Sequence, residues 1–150
     1  MRTHYPAAAS VTHAILRIVV GLLFSCHGAQ KLFGWFGGIG PQHGAVPLAS
    51  MMGFAGVLEL VGGILLVIGL FARPVAFLVS GEMAVAYFTA HFPEGFWPIV
   101  NHGELAALYS FIFLFFAFNG AGRWSVDAIR SSDDLVRHEP DRRHTQDRAA

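Results

Sequence analysis

Long apolar runs alternate along this chain with short polar or glycine- and proline-rich segments. Four runs read as helices, over residues 12–33, 48–71, 75–90 and 101–119. The first approaches the roughly 20 residues that a helix needs to cross the hydrocarbon core of a bilayer. Turn chemistry separates the runs, as in segment 34–47 with its glycines and prolines. The pattern predicts an all-α polytopic membrane protein, a bundle of four transmembrane helices.

The two ends of the chain differ from this apolar centre. Residues 1–11 are short and polar to small, Pro6 opposes regular structure there, and Thr12 is the expected N-cap of the first helix. Residues 128–150 are charged and nearly free of large apolar groups, which predicts a disordered tail. A transmembrane domain over residues 12–127 therefore lies between two cytoplasmic extensions.

Composition narrows the classes of function. Hydrophobic residues make up 54% of the chain and charged residues 13%, about half the ~25% usual for soluble domains. No basic patch with interleaved aromatic residues occurs outside the tail, so nucleic acid is not an expected partner. The one cysteine, Cys26, leaves no CxxC motif and excludes dithiol redox enzymes of the membrane.

Arginine placement predicts the orientation. Eight arginines fall on one side of a four-helix topology, namely Arg2, Arg73, Arg123, Arg130, Arg137, Arg142, Arg143 and Arg148. The opposite side carries only Lys31. Because basic residues are enriched on the cytoplasmic side of membrane proteins, both termini are expected to be cytoplasmic. The loops 34–47 and 91–100 then face outward.

Three ionisable side chains lie well inside the predicted helices. Arg17 falls in the inner part of the first helix, Glu59 near the middle of the second and Glu82 in the inner half of the third. Charged groups at membrane depth are costly and suggest a functional site. Since two carboxyls accompany one guanidinium, we expect Arg17 to pair with Glu59 or Glu82 and the other carboxyl to be protonated. The carboxyls are candidates for proton handling, and a purely structural role is the alternative.

Glycines share the faces of these charged groups. On the first helix, steps of three and four residues form a stripe of His13, Arg17, Gly21, Phe24, Gly28 and Lys31. On the second helix, one face holds Gly56, Glu59, Gly62 and Gly63. Small residues permit close approach of helices in membranes, so both faces are expected to point into the bundle.

A second set of polar residues gathers at the outer end. His27, His91, Asn101 and Glu104, with nearby Phe and Trp side chains, offer the hydrogen bonds and aromatic walls that a quinone head group needs. Two histidines at matching depth are also candidate haem ligands, His27 with His91 or His102. The structural alternative makes Asn101 the N-cap of the fourth helix with Glu104 at N3. No ExxH pair and no PCxxC motif occurs, so neither a di-iron nor a deaminase metal site is expected.

Four segments together resemble the DoxX family of small bacterial membrane proteins. They are GLLFSCHGAQKLFGWFGG, GVLELVGGILLVIGL, HFPEGFWPIVNHGELAALY and GAGRWSVD, and the resemblance spans residues 12–127. It implies a multi-pass subunit of the bacterial inner membrane linked to redox chemistry, because the name-giving relatives belong to quinol oxidase and thiosulfate:quinone oxidoreductase systems. The positions that match the recurrent motifs, and are carried over as ligand-binding candidates, are His27, Gln30, Lys31, Glu59, Asn101 and Glu104.

Three hypotheses of function follow. The first is a quinone-linked oxidoreductase subunit in which the outer residues bind the head group and Glu59 and Glu82 handle protons. The sequence has no flavin, nicotinamide or iron–sulfur motif, so this hypothesis requires a protein partner in a membrane redox complex. The second is a non-catalytic scaffold or assembly factor of such a complex. The third is a small proton-coupled transporter, which would need to form a homo-oligomer to build a pathway.

Overall fold

The computed structural model describes residues 7–40 and 43–137, and regular structure in these ranges is helical. Five α-helices follow one another: α1 (Ala7–Phe33), α2 (Met51–Ile68), α3 (Ala72–Ala86), α4 (Glu104–Asn119) and α5 (Val126–Arg137). A π-helical turn (Tyr87–His91) and a 3-10 turn (Phe92–Glu94) extend α3 without a break. The predicted all-α class is confirmed.

Three of the described helical segments are long and apolar enough to cross a membrane. They are Ala7–Phe33, Met51–Ile68 and the extended third segment Ala72–Glu94. Helix α4 is also apolar but has 16 residues, which at ~1.5 Å per residue falls short of a ~30 Å hydrocarbon core. Three helical segments in the described ranges therefore have the length and composition to cross a membrane, and the count of four spanning helices stays a prediction.

The helix boundaries differ from the prediction at two N-termini. Helix α1 begins at Ala7, and Thr12 lies inside it, with its hydroxyl donating to the Ala8 carbonyl at 3.0 Å. Thr12 is therefore not an N-cap. Helix α4 begins at Glu104 with Gly103 as its N-cap. The predicted cap of Asn101 with Glu104 at N3 was wrong, because Asn101 lies in the preceding loop.

The start of the predicted disordered tail is helical instead. Residues 126–137 form α5, and Ser125 caps it by accepting a hydrogen bond from the Ala128 N–H at 3.2 Å. Asp127 anchors this helix to the α2–α3 turn, because its carboxylate accepts from the N–H groups of Phe71 and Ala72, both at 2.9 Å. These donors belong to the start of α3, where backbone N–H groups have no partner within their own helix. Positions 1–6 and 138–150 lie outside the described residues.

Helices α1 and α2 touch backbone to backbone. A Cβ atom at Gly28 would lie 2.7 Å from the Gly56 carbonyl oxygen, and one at Gly21 would lie 2.9 Å from that of Gly63. Such distances are below normal carbon–oxygen contact, so both positions need glycine. The glycine-bearing faces of α1 and α2 are buried, which confirms that they point into the bundle.

Helices α3 and α4 form a second close pair, and α2 also contacts α3. Aromatic side chains fill the space between the two pairs. The Phe24 ring of α1 meets the rings of Phe113 and Tyr109 of α4 at centroid distances of 4.7 and 5.5 Å. Side chains, rather than backbone contacts, therefore join α1 to α4.

Arg17 closes the other end of the bundle. Its side chain is only 1% exposed, and its Nε donates to the Ala121 carbonyl at 3.0 Å. The two terminal nitrogens donate to carbonyls of Leu66 and Val67, in the last turn of α2, and of Trp124. The predicted ion pair of Arg17 with Glu59 or Glu82 was wrong. The free carbonyls at a helix C-terminus carry partial negative charge, and they take the guanidinium in place of a carboxylate.

The close contact between α1 and α2 leads to a stability prediction. We expect Gly28→Ala to lower the stability of the purified protein in detergent by about 1–3 kcal/mol, because the added methyl group overpacks the contact. Gly81→Ala is the matched control, since a Cβ atom on that glycine of α3 meets nothing within 4 Å. Alanine at position 81 should be neutral or slightly stabilising. Equal melting temperatures for the two variants would contradict the contact.

Arg17 leads to a second stability prediction. Arg17→Met removes every donor to four carbonyls, and we expect it to lower stability by about 3 kcal/mol. The stability of Arg17→Lys should lie between those of Arg17→Met and the wild type, because an ammonium cannot span the carbonyls as a planar guanidinium does. Thermal unfolding in detergent measures both, with Arg123→Met as the exposed-arginine control. A wild-type melting temperature for Arg17→Met would exclude the proposed role.

Candidate functional site

Two carboxyl side chains, of Glu59 and Glu82, lie near the interface of α2 with α3. Gly62 of α2 lies against Val79 of α3, where an added Cβ atom would meet the Val79 Cγ1 atom at 2.7 Å. The two helices run in opposite directions, so one turn outward from this contact leads to Glu59 on α2 and to Glu82 on α3. The carboxyl of Glu82 accordingly lies within electrostatic range of Glu59 and Lys31. The sequence prediction placed both carboxyls in the membrane.

Lys31 of α1 is the charge partner of Glu59. Its ammonium group forms an ion pair with the Glu59 Oε1 atom, the one ion pair found within residues 7–40 and 43–137. The Lys31 side chain is 14% exposed and that of Glu59 only 3%. Lys31 reaches this carboxylate because its Cβ atom packs beside Gly56, one turn before Glu59. The backbone contact of α1 with α2 therefore sets the position of the pair.

The carboxyl oxygens in this cluster are only partly satisfied. Three buried oxygen atoms have no hydrogen-bond partner in the described part of the chain, namely Glu59 Oε2, Glu82 Oε1 and Glu82 Oε2. A buried acceptor without a donor costs about 1–3 kcal/mol. Native proteins leave few such atoms, and each calls for an explanation such as a bound molecule.

Helices α1 and α4 supply the remaining walls. The His27 ring is half-buried and meets the ring of Tyr109 edge-on at 6.2 Å. His27 precedes Lys31 by four residues, so both side chains point to the same region of the bundle. Tyr109 in turn stacks on Phe113 at 5.4 Å with an interplanar angle of 8°. We name this group, Lys31, Glu59, Glu82, His27 and Tyr109, the interhelical polar cluster.

His91 and Asn101 form hydrogen bonds with the backbone of the outer loop and do not belong to this cluster. His91 Nδ1 lies 3.0 Å from the Asn101 carbonyl oxygen. Asn101 is fully buried, and its side chain donates to the Gly95 carbonyl at 2.6 Å and accepts from the Gly103 N–H at 2.8 Å. Their polar atoms thus bond to the backbone of the segment that leads from α3 into α4. Buried loop backbone requires such partners.

The other outer candidates also lie apart from the cluster. Gln30 is half-buried, and its amide nitrogen lies 3.5 Å from the Phe36 carbonyl oxygen, at the limit of a hydrogen bond. Glu104 is exposed at the first position of α4, and His102 is exposed in the loop before it. Of the six residues carried over from the motif resemblance, the structure therefore brings together His27, Lys31 and Glu59.

The candidate haem ligands have separate surroundings. His27 contacts Tyr109 within the bundle, whereas His91 bonds to Asn101 in the loop and His102 is exposed. Within the described ranges, no group of three or more His, Cys, Asp or Glu side chains has the arrangement of a metal site. The structure therefore gives no support to haem ligation by a pair of these histidines.

Sequence reasoning missed Tyr109 and the partner of Glu59. Tyr109 stands within an aromatic run, where nothing distinguished it from lipid-facing rings. The pairing of Lys31 with Glu59 had no signal in the spacing of the residues. Gly28 meets Gly56 and Gly21 meets Gly63, so α1 and α2 run in opposite directions, and Lys31 and Glu59 lie on opposite sides of the Gly28–Gly56 contact. The reach of the Lys31 side chain brings the two charges together.

Comparison with known proteins places the chain among membrane proteins. A protein of Haemophilus influenzae, named only as uncharacterized, is 49% identical over 117 residues, or 76% of this chain and 87% of the relative. An uncharacterized membrane protein of Mycobacterium tuberculosis is 32% identical over 128 residues, covering 75% of this chain and 77% of its own length.

A third relative carries a functional name. The Bacillus subtilis protein named "Putative oxidoreductase CatD" is 28% identical over 114 residues, covering 75% of this chain and 82% of its own length. No solved structure matches the chain. The sequence profile of the DoxX family matches residues 12–92, which include most of α1, all of α2 and α3, and most of the cluster described above. The chain is a membrane protein of the DoxX family.

Proposed function

We propose that this protein is a subunit of a quinone-linked membrane oxidoreductase and that the interhelical polar cluster binds the quinone head group. The observation that carries the proposal is the set of three buried carboxyl oxygens without a partner at Glu59 and Glu82. A ligand with polar oxygens on a flat ring would supply the missing hydrogen bonds. The oxidoreductase name of the Bacillus subtilis relative supports the same class of chemistry.

The surroundings of the carboxyls suit such a ligand. Tyr109 and His27 offer ring faces and edges beside the polar groups, and a benzoquinone or naphthoquinone ring can pack against them. The cluster lies between the α1/α2 pair and the α3/α4 pair, which meet through side chains. A lipid-soluble molecule could enter between the pairs from the hydrocarbon phase. This position is deeper than the outer loop that the sequence pointed to.

Proton handling falls to the two carboxyls in this proposal. Reduction of a quinone takes up two protons and oxidation of the quinol releases them. Neither oxygen of Glu82 has a partner within residues 7–40 and 43–137, so Glu82 is positioned to exchange a proton with the ligand. Glu59 is held by Lys31 and positions the ligand. The electrons come from, or go to, a protein partner in the membrane complex.

Quinone content of the purified protein tests this function. We expect the wild-type protein, extracted with its surrounding lipid, to carry more quinone per protein than the bulk membrane lipid explains. Glu82→Gln and Lys31→Met should lower this excess at least about fivefold, since each removes a hydrogen-bonding or charged partner. Glu94→Gln, at an exposed position beyond the π-helical turn, is the matched control and should retain it.

The outcome also separates the proposal from the alternatives. No excess quinone in the wild type, together with a stable protein partner, would favour a non-catalytic scaffold. Equal quinone content in Glu82→Gln and wild type would place any bound quinone elsewhere. Folding of each variant is checked by its elution profile and melting temperature before quinone is measured.

We further propose that the protein lies in the bacterial inner membrane with both termini in the cytoplasm. Arg73 and Arg123 flank the same end of the bundle as Arg17, because Asp127 ties the start of α5 to the α2–α3 turn. Lys31 lies toward the other end and is paired with Glu59. This arrangement agrees with the enrichment of arginine on the cytoplasmic side, and it requires α4 to cross the membrane.

Reporter fusions test the orientation. A fluorescent protein that matures only in the cytoplasm should be fluorescent at the C-terminus, and alkaline phosphatase at that position should be inactive. Fusion of the phosphatase after residue 40, in the outward loop, should give activity. An active phosphatase at the C-terminus would exclude the proposed orientation and the crossing by α4.

A further inference from the structure

The buried atoms of the interhelical polar cluster that lack a hydrogen-bond partner are all of one chemical type. All three of its buried atoms without a partner are carboxyl oxygens, at Glu59 and Glu82. The Glu59 side chain is itself only 3% exposed, and its Oε2 atom has no partner among the described residues while Oε1 accepts from Lys31. With Glu59 ionised beside Lys31, acceptors therefore outnumber donors among these unpartnered atoms.

Protonation does not remove this imbalance. A neutral carboxyl has one O–H donor and retains one acceptor oxygen. If Glu82 is neutral and Glu59 is ionised beside Lys31, the three atoms comprise two acceptors and one donor. If both carboxyls are ionised, all three are acceptors. In either state a complementary ligand brings donors of its own.

The two redox forms of a quinone differ in this respect. An oxidised quinone has two carbonyl oxygens, which only accept hydrogen bonds. A hydroquinone has two hydroxyl groups, and each of them can donate to a carboxyl oxygen. Resting on the proposed function, we propose that the Glu59–Glu82 site binds the hydroquinone form in preference to the quinone form.

Glu82 sets this preference more than Glu59 does. One oxygen of Glu59 is already engaged by Lys31, whereas neither oxygen of Glu82 has a partner in the described part of the chain. A hydroxyl that donates to an ionised Glu82 makes a charge-assisted hydrogen bond, which is stronger than a neutral one. Glu82 is thus the residue that distinguishes the hydroquinone from the quinone.

The test compares the two redox forms on the full chain in lipid nanodiscs. Decylubiquinol and decylubiquinone are titrated separately under anaerobic conditions, and the dissociation constants are measured calorimetrically. We expect the quinol to bind at least about tenfold more tightly, since a quinone leaves buried acceptors without donors. The midpoint potential of the bound couple would then lie about 30 mV or more above that of the free couple, because tenfold corresponds to 29.6 mV for two electrons.

Variants identify the responsible side chain. Glu82→Gln adds an N–H₂ donor and retains one acceptor at nearly the same shape, so it should reduce or reverse the preference. Glu94→Gln should leave the ratio unchanged. Equal or tighter binding of the quinone by the wild type would overturn the inference while leaving quinone binding intact. If neither form shows saturable binding, the proposed function fails along with the inference.

Discussion

Helices α1 and α2 meet through their backbones, and the position of the Lys31–Glu59 pair follows from that contact. Gly28 lies against Gly56 and Gly21 against Gly63, so the two helices can pair in one register only. In that register the ammonium of Lys31 reaches Glu59. Larger residues would separate the helices and leave both charges unpaired in a membrane, where such groups are costly. The glycines therefore allow the two charges to pair, in addition to allowing the two helices to pack closely.

At the end of the bundle that we propose to be cytoplasmic, backbone carbonyls stabilise a buried charge in place of an oppositely charged side chain. Arg17 has no carboxylate among its hydrogen-bond partners, and it bonds to carbonyls from α2 and from the segment after α4. It thereby links segments that are about 50 and more than 100 residues apart in sequence. Asp127 adds a complementary link from α5 to the start of α3. The Arg17 end of the bundle is thus closed by hydrogen bonds to backbone carbonyls, whereas carboxyl oxygens of the interhelical polar cluster have no partner among the described residues.

Much of this fold could be predicted from the sequence, and much of the site could not. Hydropathy located the apolar helices, and glycine spacing located the buried faces, because both are properties of a single helix. The partner of Arg17 depended on where α2 ends and how the chain turns after α4, which periodicity does not reveal. Lys31 was grouped with the outer polar residues because it lies near the outer end of α1 in the sequence. Only the helix pairing shows that its flexible side chain turns back toward Glu59.

Charge balance supports the proposed binding site over a purely structural ion pair. Lys31 and Glu59 suffice for a neutral pair, and a structural role would be complete with them. Glu82 is then a third group whose buried oxygens have no protein partner among the described residues, and removing it would spare the fold that cost. The contact of Gly62 with Val79 fixes the helix positions of Glu59 and Glu82, one turn away from it. Their proximity therefore does not depend on the side-chain rotamers alone. A carboxyl kept there at a cost to stability is expected where another molecule, or a proton, completes its hydrogen bonds.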